Sequence, residues 1–167
     1  TKELLETAAL LENASLVKKY GKKDRNRLED DCLDGLFNSL IPCEQLMNEI
    51  RNCIISEDEI SDNASPALFK IRKSIKFNEE KIHSQLNSMI NGSARTYLQD
   101  AVITMRNGRY CIPVKNEYRG RIQGMIHDQS SSGSTVFIEP MPVIKLNNDI
   151  KQLEGEEEKE IEKILQT

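Results

Sequence analysis

The sequence predicts a mainly α-helical fold with a small β insertion. A long antiparallel helix pair carries a three- to four-stranded antiparallel β-meander, preceded by shorter core helices. Three observations predict it. Apolar residues recur at steps of three and four over most of the 167-residue chain. Two of these stripes are long, narrow and close to a heptad, which suits helices that bury a seam against each other. Between them lies the one strand-like region, with Asn107-Gly108, a strong hairpin signal, at its first turn.

In chain order, Leu4, Leu5, Ala8, Leu11 and Ser15 recur at helix spacing, and Gly21 fits a C-terminal cap. Leu28, Cys32, Leu33, Leu36, Phe37 and Leu40 form a second stripe. Pro42 opens a third helix with Leu46, Met47, Ile50 and Ile54, since proline's fixed φ and missing N–H suit a first helical position. Residues 56–64 are polar and aperiodic, a connection. Ser65-Pro66 is the strongest helix start in the chain, a capping hydroxyl followed by proline. After it Leu68, Ile71, Ile75, Asn78, Ile82, Gln85 and Met89 alternate steps of three and four, until Asn91-Gly92. A helix over 66–90 would extend ~38 Å at 1.5 Å per residue. The closing helix, from about Pro142, carries Leu146, Ile150, Leu153, Glu157, Ile161 and Ile164. Ile71, Ile75, Ile82 and Met89 are expected to pack on Leu146, Ile150 and Leu153. The strands run through 102–105, 110–114, 122–127 and 135–138, and Pro140 ends the last because it has no N–H to donate. The organisation is therefore core helices over 1–65, a long helix over 66–100, the meander over 101–140 and a returning helix over 141–167.

The chain is 30% charged and 5% aromatic, with no Trp and no run of about 18 apolar residues, so it predicts no membrane span. It lacks an initiator Met and a signal pattern, and both ends stop within a running helical pattern, so it reads as a segment of a longer protein. Cys32, Cys43, Cys53 and Cys111 form no C-x-x-C pair, so no zinc site is expected. Their apolar neighbours suggest buried free thiols and a reducing, cytoplasmic setting. Residues 101–138 hold five basic side chains against two acidic, a local +3 within a net charge of −4. A second basic run spans residues 18–27.

The stretch HDQSSSGSTVFIEP (127–140) raises the question of chemistry. A nucleophilic serine needs a base positioned by a third group. His127 and Asp128 supply the residue types, but no G-x-S-x-G elbow accompanies them. No P-loop motif G-x-x-x-x-G-K-[ST] occurs. The stretch therefore reads as a Ser/Gly turn ordered by hydrogen bonds from side chain to backbone, leading into a strand. Its functional reading is contact with a nucleic-acid backbone, for which Arg, Lys, Ser and Gln are the usual phosphate donors. The candidate contacts are Arg106, Arg109, Lys115, Arg119 and Arg121, with Gln129, Ser130, Ser131 and Ser132 in the turn. No catalytic residue and no metal ligand is assigned.

The run ITMRNGRYCIPVKNEYRGRI (103–122) and its continuation GMIHDQSSSGSTVFIEP (124–140) resemble the second bacterial paralogue of MutS, the Smr-bearing relative that suppresses recombination. Leu146-Asn147-Asn148 and Ala64-Ser65-Pro66 extend the resemblance over the chain. It implies a core and lever of long helices with a clamp-like insertion at the far end. It also implies a parent with an ABC-type ATPase, using ATP and Mg, and a C-terminal Smr nuclease, both lying beyond this segment. The family lacks the mismatch-recognition domain of MutS proper, and its Phe-x-Glu wedge is not expected here. The dimeric parent is an ATP-dependent endonuclease associated with branched DNA and with collided ribosomes, hence DNA or rRNA as partner. The alternative is a structural module that dimerises through the helix pair and binds no nucleic acid.

Overall fold

Ser65 and Pro66 do what their order dictates. The Ser65 hydroxyl accepts the Leu68 N–H at 3.0 Å and the helix begins at Pro66. The structure, a computed structural model, describes residues 1–22 and 33–166. Leu28, Cys32 and the basic side chains at 22–27 lie outside the described residues. The chain folds as two units, Thr1–Phe69 with Ile161–Thr167, and Lys70–Glu160.

In the first unit, α1 (Lys2–Lys22), α2 (Asp34–Ser39) and α3 (Glu44–Cys53) precede a short hairpin of β1 (Ile54–Ser56) and β2 (Glu59–Ile60). The expected connection over 56–64 thus holds part of a hairpin and a 3-10 turn at Asp62–Ala64. Pairing Ile54 with Ile60 buries both against Ala8, Ile50 and Leu68, which a count of polar residues misses. Pro42 does not open α3. Cys43 takes the left-handed conformation (φ 40°) ahead of Glu44, so proline lies outside the helix. That position also leaves Cys43 exposed, against the expected burial of the thiols; Cys53 is half-buried and Cys111 fully buried, in a strand.

The second unit joins most of α4 (Pro66–Asn91) and α5 (Met141–Gln166) to one antiparallel sheet. Arg72, early in α4, pairs with Glu157, late in α5, at 2.7 Å. Leu86 and Ile90 from the end of α4 share a core with Val143 from the start of α5, so the helices run antiparallel. Ile75, Ile82, Met89, Leu146 and Ile150 gather there as expected. The heptad itself does not hold. Gln85 is exposed, Leu86 and Ile90 are buried in its stead, and Ile71 and Leu153 are half-buried outside this cluster. The reason is that the helices face a sheet as well as each other. Ile112, Val114, Val136 and Ile138 complete the same core, and a sheet asks for a broader apolar face than a seam does.

The sheet contains β3 (Thr104–Arg106), β4 (Arg109–Lys115), β5 (Gly124–Gln129) and β6 (Thr135–Pro140) in the order β3-β4-β6-β5. It is antiparallel and four-stranded, but β6 lies between β4 and β5, where a plain meander would place β5. Asn107 (φ 52°) and Gly108 (φ 69°) are both left-handed between the paired residues Arg106 and Arg109. That is the two-residue turn their sequence predicts. Gly108→Ala should cost about 1–2 kcal/mol, the penalty of a Cβ in the left-handed region. Denaturant unfolding measures it, and an unchanged midpoint would refute the turn's conformation.

Candidate nucleic-acid interface

β3 and β5 are the two edges of the sheet, yet they meet. Asn107 Nδ2 donates to the His127 carbonyl at 3.0 Å, and Arg106 Nε lies 3.2 Å from Asp128 Oδ2. The sheet therefore curls until its edges approach. Its concave face buries Cys111, Pro113 and Glu139, although alternation in a single strand would assign these positions to water.

Glu139 is wholly buried, and three groups serve its carboxylate. Oε1 accepts from Arg109 Nη1 at 2.8 Å and from Asn147 Nδ2 at 2.7 Å, and Oε2 lies 2.6 Å from His127 Nε2. His127 reaches it from a β-bulge, where the register slips between Ile126 and Asp128. A bulge re-aims a side chain, here onto Glu139. Asn147 has a second role. Ile112 pairs with Ile138 and Val114 with Val136, so Tyr110 falls opposite Pro140, which has no N–H for the ladder. The Asn147 amide replaces that partner: Oδ1 accepts the Tyr110 N–H at 3.1 Å and Nδ2 donates to its carbonyl at 3.3 Å. Burial pushes the Cys111 thiol up to about 11, aided by the charge of Glu139, so it stays protonated at neutral pH. Burial, then the hydrogen bond to Glu79 at 2.9 Å, raises the Tyr110 phenol to about 12.

The sequence-predicted basic contacts divide into three groups. Arg106 and Arg109 are already engaged. Arg106 stacks 4.0 Å above the Phe137 ring and pairs with Asp128, and Arg109 bonds Glu139 and, at 2.7 Å, Asn148. Arg119 and Arg121 stand exposed on the 3-10 segment Asn116–Arg121, and neither forms an ion pair among the described residues. Lys115 and Ser132 line one polar cleft of about 400 Å³ with Asn116 and Glu117.

In the turn, Ser130 serves the backbone. Its N–H donates to the Thr135 carbonyl at 2.9 Å, and its hydroxyl accepts the Thr135 N–H at 3.1 Å. Gln129 Nε2 donates to the Gly133 carbonyl at 3.1 Å, and the Ser132 and Ser134 hydroxyls pair at 2.8 Å. Ser131 is exposed. His127 Nε2 meets Glu139 rather than a serine, so these side chains are not arranged as a nucleophile and its base.

The buried roles of Glu139 and Asn147 escaped the sequence reading, as did the contacts that His127 makes with Glu139 and Asn107 with the His127 carbonyl. Two signals pointed to them: a carboxylate inside an apolar strand, and an asparagine within the core-facing stripe Val143, Leu146, Ile150. Two Phe-x-Glu triplets also occur, contrary to expectation, at 77–79 and 137–139. Neither forms a free wedge. Glu79 accepts from Tyr110, Phe77 lies beneath Lys81, Glu139 is buried and Phe137 lies under Arg106.

Curated relatives align along almost the entire chain. Endonuclease MutS2 of Agathobacter rectalis is 56% identical over 166 residues, covering 99% of this chain and 21% of that protein. Endonuclease MutS2 of Lachnospira eligens is 52% identical over 164 residues, 98% of this chain and 20% of its own length. The Lachnoclostridium phytofermentans protein of the same name is 50% identical over 169 residues, 98% and 21% respectively. No protein-family model matches the chain. The chain spans about a fifth of the length of the curated relatives it matches. No helix among the described residues is long and apolar enough to cross a membrane. With half or more of its residues identical to each of these proteins along 98% or more of its length, the chain belongs to the MutS2 family.

Proposed function

We propose that this chain is the lever and clamp region of a MutS-type ATPase and endonuclease, and that it helps the whole protein hold DNA, as branched recombination intermediates, or the rRNA of collided ribosomes. The ATPase, with its ATP and Mg, and the nuclease belong to the rest of the dimeric parent, which acts in the cytoplasm. The name endonuclease, carried by relatives at least 50% identical, supports a nucleic-acid ligand. The observation that carries the reading is the exposed pair Arg119 and Arg121, without carboxylate partners among the described residues, in the basic stretch of an otherwise acidic chain. Arg106 and Arg109 contribute less net charge, because Asp128 and Glu139 face them.

The test is Arg119→Glu with Arg121→Glu in the full-length protein, titrated against branched DNA and ribosomes over a salt series. Each lost phosphate contact removes about 0.9 from the slope of log K against log salt for duplex DNA. The double variant should therefore bind at least about tenfold more weakly at low salt, with a slope shallower by about two, and an unchanged melting temperature. Equal binding at every salt concentration would refute the reading and favour the dimerisation module.

A further inference from the structure

The second unit holds a cleft of about 330 Å³ where the end of α4, the 3-10 segment Ser93–Tyr97, residues 121–123 and the start of α5 come together. Its character differs from that of the polar cleft beside Lys115. Met89, Tyr97, Ile122, Met141 and Pro142 make its walls, and Arg121 and Gln123 add the polar groups. The Met141 N–H donates to the Gln123 carbonyl at 3.0 Å and ties the two sides together. The Tyr97 ring is held by Tyr118, with centroids 5.3 Å apart and planes inclined by 47°. Met141 is 61% exposed, so an apolar side chain stands in water at the cleft.

The apolar walls of this cleft have no use for the phosphates of an intact duplex, which offer charge and hydrogen-bond acceptors but no apolar surface. The cleft suits a ligand with a flat apolar part and an adjoining anion. An unpaired nucleotide has that form: a heterocycle to lie against Tyr97 and between flexible methionines, an edge for the Gln123 amide, and a phosphate for Arg121. Resting on the nucleic-acid reading above, we propose that this cleft receives one unpaired nucleobase, so that the clamp distinguishes branched or single-stranded positions from continuous duplex. Arg121 then binds the phosphate of the nucleotide whose base is captured, and Arg119 adds charge alongside it. A peptide with an apolar residue beside a carboxylate is the competing occupant, and the comparison of base with abasic probes separates the two.

The experiment uses the full-length protein and a short duplex carrying a single unpaired 2-aminopurine, in DNA and in RNA form. The controls are the same duplex with an abasic residue at that position and the fully paired duplex. Wild type should bind the unpaired base roughly tenfold more tightly than the abasic probe, as expected for stacking of one base, and the 2-aminopurine fluorescence should change on binding. Met141→Glu, at an exposed position, should keep the wild-type melting temperature and abolish both the preference and the fluorescence change. Equal affinity for base and abasic probes, or a preference that survives Met141→Glu, would overturn the proposal. If wild type binds every probe with a steep salt dependence and no base preference, only this inference falls. If it binds no probe at any salt concentration, the underlying reading falls with it. A protein occupant would show as no base preference together with loss of ribosome association in Met141→Glu, which also overturns it.

Discussion

Glu139→Ala is expected to lower the melting temperature by roughly 10 °C, or to prevent the sheet from folding. The carboxylate is completely buried and is the shared acceptor of Arg109, Asn147 and His127. Removing one member of a buried ionic network leaves the others desolvated without a partner, which costs about 3–5 kcal/mol. For a chain of this size each kcal/mol shifts the midpoint by roughly 2–4 °C. Glu139→Gln should fall between the alanine variant and wild type. Its amide oxygen still accepts one bond, but its NH₂ group now confronts the donors that met a carboxylate oxygen. Thermal melts of both variants, followed by circular dichroism, give the comparison. An alanine variant within about 1 kcal/mol of wild type would mean that the network contributes shape and little stability, as some buried ion pairs do.

That network was hard to read in the sequence for a physical reason. Alternation along a strand says which side chains share a face, not whether the second face meets water. Here it does not, because the sheet curls until Arg106 and Asn107 reach Asp128 and His127, and no single strand encodes that closure. The bulge that turns His127 inward depends on the β5–β6 register, and the bonds of Asn147 depend on Tyr110 coming to lie opposite Pro140 and on the burial of Glu139. What was legible is local. Ser65-Pro66 specifies its helix start through one hydroxyl and one fixed φ, Asn107-Gly108 its turn through two left-handed residues, and Ser130 its loop through bonds to Thr135. The cations lie between these cases. Counting charge located the basic stretch, but a count records no partners. Only the fold separates Arg106 and Arg109, held by carboxylates, from the exposed Arg119 and Arg121.

The helix pair gives the sharpest contrast between a sequence pattern and its physical outcome, and Gln85 and Leu86 test it side by side. A strict heptad places Gln85 in the seam and Leu86 beside it. In the structure Leu86 is fully buried, in one core with Ile82, Ile90 and the sheet residues Ile112 and Val114, while Gln85 is exposed. Leu86→Ala is therefore expected to cost about 2–5 kcal/mol, the lost transfer free energy plus the cavity left between two helices and a sheet. Gln85→Ala should be neutral or slightly stabilising, because alanine is the better helix former at a solvated position. Ile75→Ala, at a half-buried position at the edge of the same cluster, should fall between them. Urea unfolding of the three variants ranks them. Were Gln85→Ala the costly change and Leu86→Ala the mild one, α4 would be rotated by about 100° from the orientation described, its seam would belong to a helix partner rather than to the sheet, and the core assigned to this unit would be wrong.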